Sequence, residues 1–435
     1  MSGITRRLLA FATITAIAAA CAGSPSTSSA PPASAPASTP VSSPSANPSP
    51  SAEPVKLTYF TFSAAPDHLK DLDAIIKAFQ VAHPNITIDV QTAAYADYFT
   101  KLQTAVAGGT APDTFEINYE NFVTYASAGS LLDISTQAQA TASTYYPKAY
   151  QVFQSDGKQY GLPESFSDVL LFYNKDLFDK AGQSYPTPDW KWADELVAAK
   201  KLTKAGVWGD FQPVQFFEFY KVLAQNGGQF FNADKTAATF NDAKGLEAAN
   251  WLIDKANRDK VMPTTAQMGG QDDTALFKAG KLAMWHNGIW QFSGMKDAPF
   301  KWDVSVEPGN PTKAHHFFAN AVVASAKTAH HQEAFEWLSF LTASADAVKI
   351  RLAASWELPA VADQSQFSSY LSQTPPANRK AVFDALANIV VPPVIAQQSQ
   401  LHDTVTKALE KAQTGQTTVQ AALDEATRQV NALLK

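Results

Sequence analysis

Leu57-Thr58-Tyr59-Phe60-Thr61-Phe62, the helix-patterned run from Leu69 to Ala82, and Ile86-Thr87-Ile88-Asp89-Val90 together decide the fold. The first six residues alternate with period two and are rich in aromatic and β-branched types, the pattern of a strand. In the next run Leu69, Leu72, Ile75, Ile76 and Phe79 recur at helical spacing and share one face. His83-Pro84-Asn85 closes that helix, because the residue before a proline is driven out of the α region. Ile86 to Val90 is a second strand, Tyr98 to Ala107 a second helix closed by Gly108-Gly109, and Thr114 to Ile117 a third strand. Strand, helix, strand, helix, strand with short links predicts an α/β fold with a largely parallel sheet. Ligands of such sheets lie beyond the carboxyl ends of the strands, which places Phe62–Asp67 and Asn118–Glu120 on the functional rim.

The N-terminal side carries a different message. Arg6 and Arg7 precede an apolar run from Leu8 to Ala20 that ends in Ala18-Ala19-Ala20-Cys21. A basic start, a short apolar stretch and a small-residue cleavage site make a secretory signal over residues 1–20. The stretch is too short to span a bilayer, which takes about 20 apolar residues. Cys21 is the only cysteine of the chain, so it has no internal disulfide partner. Its position resembles a bacterial lipobox, in which that cysteine is acylated and becomes the mature N-terminus; Ala18 stands where such motifs usually carry Leu. Simple secretion is the alternative. From Ala22 to Pro54 the chain is almost entirely Ser, Pro, Ala and Thr. Such a composition has too little apolar surface to offset the entropy of ordering, so residues 21–54 are expected to be a disordered tether.

What remains, residues 55–435, suits two domains. Net charge is −6 and no basic patch appears, which argues against nucleic acid. A monomeric head on the extracellular face of the cytoplasmic membrane, held by lipid alone, is expected. His315-His316 and His330-His331 read as surface pairs, since neighbours in sequence do not face one metal well and no partner has ligand spacing. Neither a metal nor a cofactor is expected. Tyr145-Tyr146 reads as packing, and Asp113, in a Pro-Asp turn, as structural. Glu164 and Asp168 could be cast as a glycosidase pair, but any acidic protein offers such pairs, and no enzyme is expected. No phosphate loop, serine elbow or HExxH motif is present.

Colinear segments over nearly the whole head resemble the extracellular solute-binding proteins of ABC importers, family 1, carbohydrate type. They are Phe79-Gln-Val-Ala-His-Pro-Asn-Ile-Thr-Ile88, Ala107-Gly-Gly-Thr-Ala-Pro-Asp113, Tyr125 to Asp133, Gly161-Leu-Pro163 with Leu171 to Phe178, Trp190 to Thr203, Phe277 to Met284 with Asn287-Gly288-Ile289-Trp290, His331 to Leu341, and Gly415 to Leu423. The resemblance implies a two-lobe periplasmic-binding-protein fold, type II-like, with residues 55–165 and 290–341 in one lobe and 168–288 and 342–435 in the other. It also implies capture of a sugar or oligosaccharide by hinge closure and delivery to the permease subunits of an ABC importer. A same-fold lipoprotein binding a polyamine, a phosphorylated polyol or a partner protein is the alternative. Sugars are held by flat aromatic faces and planar polar groups. By family position, Trp290 on a segment crossing between lobes is the leading stacking residue, with Trp356 on a ligand-facing loop and Phe62 at the rim. Asn118, Glu120, Asn287 and Asn320 are the polar candidates, and Phe217 and Tyr220 the second wall. Asn320 stands where the family often has glycine.

Overall fold

The computed structural model describes residues 53–355 and 357–435; the expected signal peptide, Cys21, the tether through residue 52, and Trp356 lie outside the described residues. The opening stretch forms β1 (Val55–Thr61), α1 (Pro66–Ala82), β2 (Ile86–Thr92), α2 (Tyr95–Ala107) and β3 (Thr114–Asn118). Helix α1 starts ahead of its apolar pattern because Pro66 occupies the first turn, where a missing N–H costs nothing and the fixed φ suits the helix. The other principal elements are α3 (Tyr119–Ser127), β4 (Gly161–Ser167), β5 (Val169–Asn174), α4 (Trp192–Leu202), α5 (Phe216–Gln225), α6 (Ala243–Asn257), β6 (Met284–Gly288), β7 (Trp302–Ser305), β8 (His315–His316), β9 (Phe318–Ala324), α7 (His331–Ala343), α8 (Ala345–Ala354), β10 (Leu358–Pro359), β11 (Ile389–Val390), α9 (Gln398–Gln413) and α10 (Val419–Leu433).

Six strands form one sheet in the order β10-β4-β9-β3-β1-β2. Strand β1 runs parallel to β2 and β3. The sheet is nonetheless mixed rather than largely parallel, because β9 runs against both β3 and β4, and β10 against β4. A second, three-stranded sheet, β6-β5-β7, is antiparallel throughout. The chain passes from the first sheet to the second across a single residue, Asp168, and returns between Ser305 and Phe318. The segment of Trp290, expected to cross between lobes, therefore does not leave the second sheet: β6 before it and β7 after it both pair with β5. The lobe ranges change with it. Trp302–Ser305 belongs to the second sheet, while Leu358–Pro359 edges the first and Ala347 of α8 packs in the core beside α1.

On one face of the first sheet Leu57 and Tyr59 pack with Leu72, Ile75 and Phe79 of α1 and Trp337 of α7. Tyr59 and Phe79 meet the Trp337 indole edge-on at 5.6 and 5.1 Å. Burying side chains of this size contributes about 1.5–3 kcal/mol each. On the other face a continuous core containing Phe60, Phe115 and Ile117 runs on to Phe172, Trp285 and Val304 of the second sheet. A separate core joins α5, α6, α9 and α10 through Phe219, Leu252, Leu401 and Leu423.

Asp113 is structural: its carboxylate accepts from Thr58 N and Oγ1 (3.0 and 2.8 Å) and from Thr328 Oγ1 (2.7 Å), tying β1 to the loop after β9. Tyr145 is buried and hydrogen-bonded to Thr342 Oγ1 at 2.8 Å, a packing role. The histidines divide. His331 is exposed, whereas His315 and His316 are buried, contrary to the surface reading, because they pair as a strand with Ile389–Val390. Burial, with Lys221 nearby, pushes His316 down to about 4, so it is neutral, and its Nε2 meets the Phe217 carbonyl at 2.9 Å. Among the described residues no helix is long and apolar enough to cross a membrane.

Candidate functional site

Beyond the carboxyl ends of β1 and β3, a cavity of about 740 Å³ opens between the two sheets. Phe62, Asn118, Glu120, Phe217, Asn287, Trp290 and Asn320 all line it. They come from points far apart in the chain, and the fold brings them to one space.

The rim after β1 is fixed from beneath. Buried Glu116 of β3 accepts from Thr61 Oγ1 at 2.5 Å, from Ser63 Oγ at 3.1 Å and from the Phe62 N–H at 3.2 Å. Phe62 is thereby set edge-on to Tyr95 (5.3 Å, 89°) and Tyr98 (5.2 Å, 83°). Asn118 both caps α3, accepting from Asn121 N at 3.2 Å, and donates to the Tyr95 hydroxyl at 3.0 Å. Glu120 follows in the first turn of α3, 5% exposed, and burial pushes its carboxyl up to about 7.

Trp290 lies half-buried on the wall with its ring 6.0 Å from Phe318. Its seat is Gly288, where an added Cβ would fall 2.0–2.2 Å from the indole. The backbone there is ordinary (φ −86), so the glycine is required by the close approach of the ring rather than by its own conformation. Gly288→Ala is expected to displace the indole and weaken ligand binding by about tenfold or more while the thermal midpoint holds, as calorimetric titration beside a melting curve would show.

Asn287 donates to Asp273 at 3.0 Å, and Asn320 donates to Glu357 at 3.1 Å. Glu357 also accepts from Ser165 Oγ, and burial pushes its carboxyl up to about 7. Phe217 sits edge-on to Phe318 at 5.7 Å on the opposite wall. Tyr220 does not reach the cavity: its ring is buried edge-on against His316 at 5.3 Å. The sequence reading missed Tyr95, Phe211, Asp273, Glu357 and Phe318. Glu357 and Phe318 had a signal, since Glu357 adjoins Trp356 and Phe318 lies two residues before Asn320.

Behind the second wall lies a chain of buried charges. Lys255 donates to Glu195, to Asp210 at 2.6 Å and to Gln212 at 2.7 Å. His286, on the wall, bridges Glu307 (2.6 Å) and Glu195 (3.2 Å), and Lys221 joins Glu307 to Glu218 (2.7 Å). Burial alone would lower His286, but Glu195 and Asp210 outweigh it and lift the imidazole to about 9. The groupings Glu195/Asp210/His286 and Glu218/His286/Glu307 have the composition of metal sites. Each already carries a lysine ammonium, which supplies positive charge in a cation's place, although Glu195 Oε2, Asp210 Oδ1 and Glu307 Oε2 have no hydrogen-bond partner. The Glu164–Asp168 pair has no catalytic disposition either. Glu164 is ion-paired with Arg351, Asp168 is wholly buried with both carboxyl oxygens lacking a hydrogen-bond partner, and neither lines the cavity.

The model of the bacterial extracellular solute-binding proteins matches residues 65–348, a span holding most of both sheets. The chain belongs to that family. Among solved structures, an ABC substrate-binding protein from Listeria monocytogenes in complex with cycloalternan is 47% identical with a TM-score of 0.84, covering 87% of this chain and 99% of that one. The maltooligosaccharide ABC transporter solute-binding lipoprotein of Streptococcus pneumoniae is 23% identical over 88% of this chain and 90% of its own. The galactooligosaccharide-binding protein of Bacillus subtilis is 22% identical over 83% of this chain and 86% of its own. The architecture of this solute-binding protein is thus the two-lobe periplasmic-binding fold, and the cavity between its sheets is the cleft of that fold.

Proposed function

We propose that this solute-binding protein captures an oligosaccharide in the cleft by hinge closure and delivers it to the permease of an ABC importer, anchored outside the cell through acylated Cys21. The observation that carries the reading is the cleft's mixed wall: ring faces of Phe62, Tyr95, Phe217, Trp290 and Phe318 interleaved with Asn118, Glu120, Asn287, Asn320 and Glu357. A pyranose has apolar C–H faces and a rim of hydroxyls, and those two lining types match them in turn. Only a closed cleft touches ligand from both walls, so ligand favours closure by that difference in contact. The cycloalternan complex of the Listeria relative makes that compound the first to try.

The test is thermal unfolding of the protein with cycloalternan, malto-oligosaccharides, galacto-oligosaccharides and a linear polyamine. A ligand at 100 times its Kd adds about 2.7 kcal/mol. A shift with a saccharide and none with the polyamine is expected; silence with every saccharide would overturn the reading.

A further inference from the structure

We infer that the cleft sorts saccharides by charge, admitting neutral and amine-bearing ones and rejecting acidic ones, with Glu120 the residue that does most of the sorting. The inference rests on the oligosaccharide reading and names the class within it. Four carboxylates line the cleft, from Glu120, Glu218, Asp273 and Glu357, and among the described lining residues none is Lys or Arg. The wall holds no spare positive charge: burial holds His68, which lies 3.9 Å from Asp67, below its usual range. His286 is gripped by Glu307 and Glu195, and His316 is neutral.

Three of the carboxylates are already engaged. Glu218 is held by Lys221 at 2.7 Å and Gln212 at 2.8 Å, Asp273 by the indole N–H of Trp285 at 2.8 Å and by Asn287 at 3.0 Å, and Glu357 by Ser165 and Asn320. Glu120 is different. It is nine-tenths buried, it faces the cleft, and it accepts no hydrogen bond from any other described residue, its own N–H apart. A buried acceptor in that condition is satisfied only by what enters the cavity. A neutral sugar offers hydroxyl donors, and an amine offers donors with a compensating charge. A uronate or phosphate offers lone pairs and a second negative charge, in a space where water is displaced and like charges repel strongly.

The experiment titrates the wild-type protein and Glu120→Gln at about pH 8, above the value of about 7 to which burial raises the Glu120 carboxyl. The probes are three forms each of cycloalternan and maltotetraose: neutral, with one primary alcohol oxidised to a carboxylate, and with one primary alcohol replaced by an amine. Wild type should bind the carboxylated form about 30-fold or more weaker than the neutral form, and the aminated form at least as well. Glu120→Gln should cut the penalty on the carboxylated form by about tenfold. Glu357→Gln, a second isosteric change, should cut it less, because that carboxylate already has two donors. Equal wild-type affinity for neutral and carboxylated forms, or a penalty of the same size in Glu120→Gln, overturns the inference while leaving oligosaccharide capture standing. Failure of both neutral parents and of the panel saccharides removes the functional reading and the inference with it.

Discussion

Lys255→Met lowers the unfolding free energy by about 3–5 kcal/mol, the usual cost of removing one partner from a buried ionic cluster. Lys255 is 2% exposed, and its ammonium donates to Glu195, Asp210 and Gln212 at once. Met fills much the same volume, so the loss is electrostatic: two buried carboxylates are left facing each other with only His286 between them. The deficit depends on pH with a definite sign. In the wild type burial pushes Glu195 up, but Lys255 and His286 outweigh this and hold it down at about 2. A carboxylate depressed in this way contributes stability that is present above about pH 4.5 and lost as pH falls through about 2. In the variant Glu195 no longer gains from ionising, so the gap between the two proteins is widest near neutrality and narrows on acidification. Urea midpoints of both proteins across pH 4 to 7 measure it; a gap below about 1 kcal/mol at pH 7 would show that the cluster tolerates the loss.

Trp290→Ala removes saccharide binding, by about 2 kcal/mol or more and so at least about 30-fold in Kd, with the fold intact. The two effects separate because the ring is half-buried and rests on Gly288 and near Phe318 rather than inside a core. Truncation therefore costs a stacking face without opening a large internal void. Fluorescence or calorimetric titration beside a melting curve reads both quantities; an unchanged Kd would place the ligand elsewhere in the cleft.

The first five elements were legible because each carries its own local pattern. Leu72, Ile75, Ile76 and Phe79 announce a helix face, and β1 and β2 are bounded by breakers. The strands that turn the sheet mixed were not legible, since their direction is set by pairing with residues more than a hundred positions away, as Val322 pairs with Glu116. Leu358–Pro359 is a two-residue strand and has no period to read. Of the aromatic and amide candidates, Phe62, Phe217, Trp290, Asn118, Asn287 and Asn320 line the cavity, whereas Tyr220 does not and Trp356 lies outside the described residues. The charge chain was invisible for a physical reason: lysine is ordinarily exposed, and nothing near Lys221 in sequence announces that Glu307 will bury it. The same blindness put His315 and His316 on the surface, when a two-residue strand pairing carries them inside.

The single-residue passage at Asp168 has a kinematic consequence. Ser167 and Val169, on either side of it, both line the cleft, and the Ile289 N–H donates to the Asp168 carbonyl at 3.1 Å, clamping the passage to the end of β6. A rotation of one sheet against the other has its axis where the connecting chain is shortest, and displacement grows with distance from an axis. In the closure proposed above, with that passage as its axis, Ser167 and Val169 would move least, and Tyr95 and Gln215, borne on helical margins of the two walls, would move more. Changes at the floor alter how tightly a saccharide is held in every posture of the protein. Changes at the travelling margin alter how much more tightly it is held shut than open, and so how long the shut form lasts for a partner to meet.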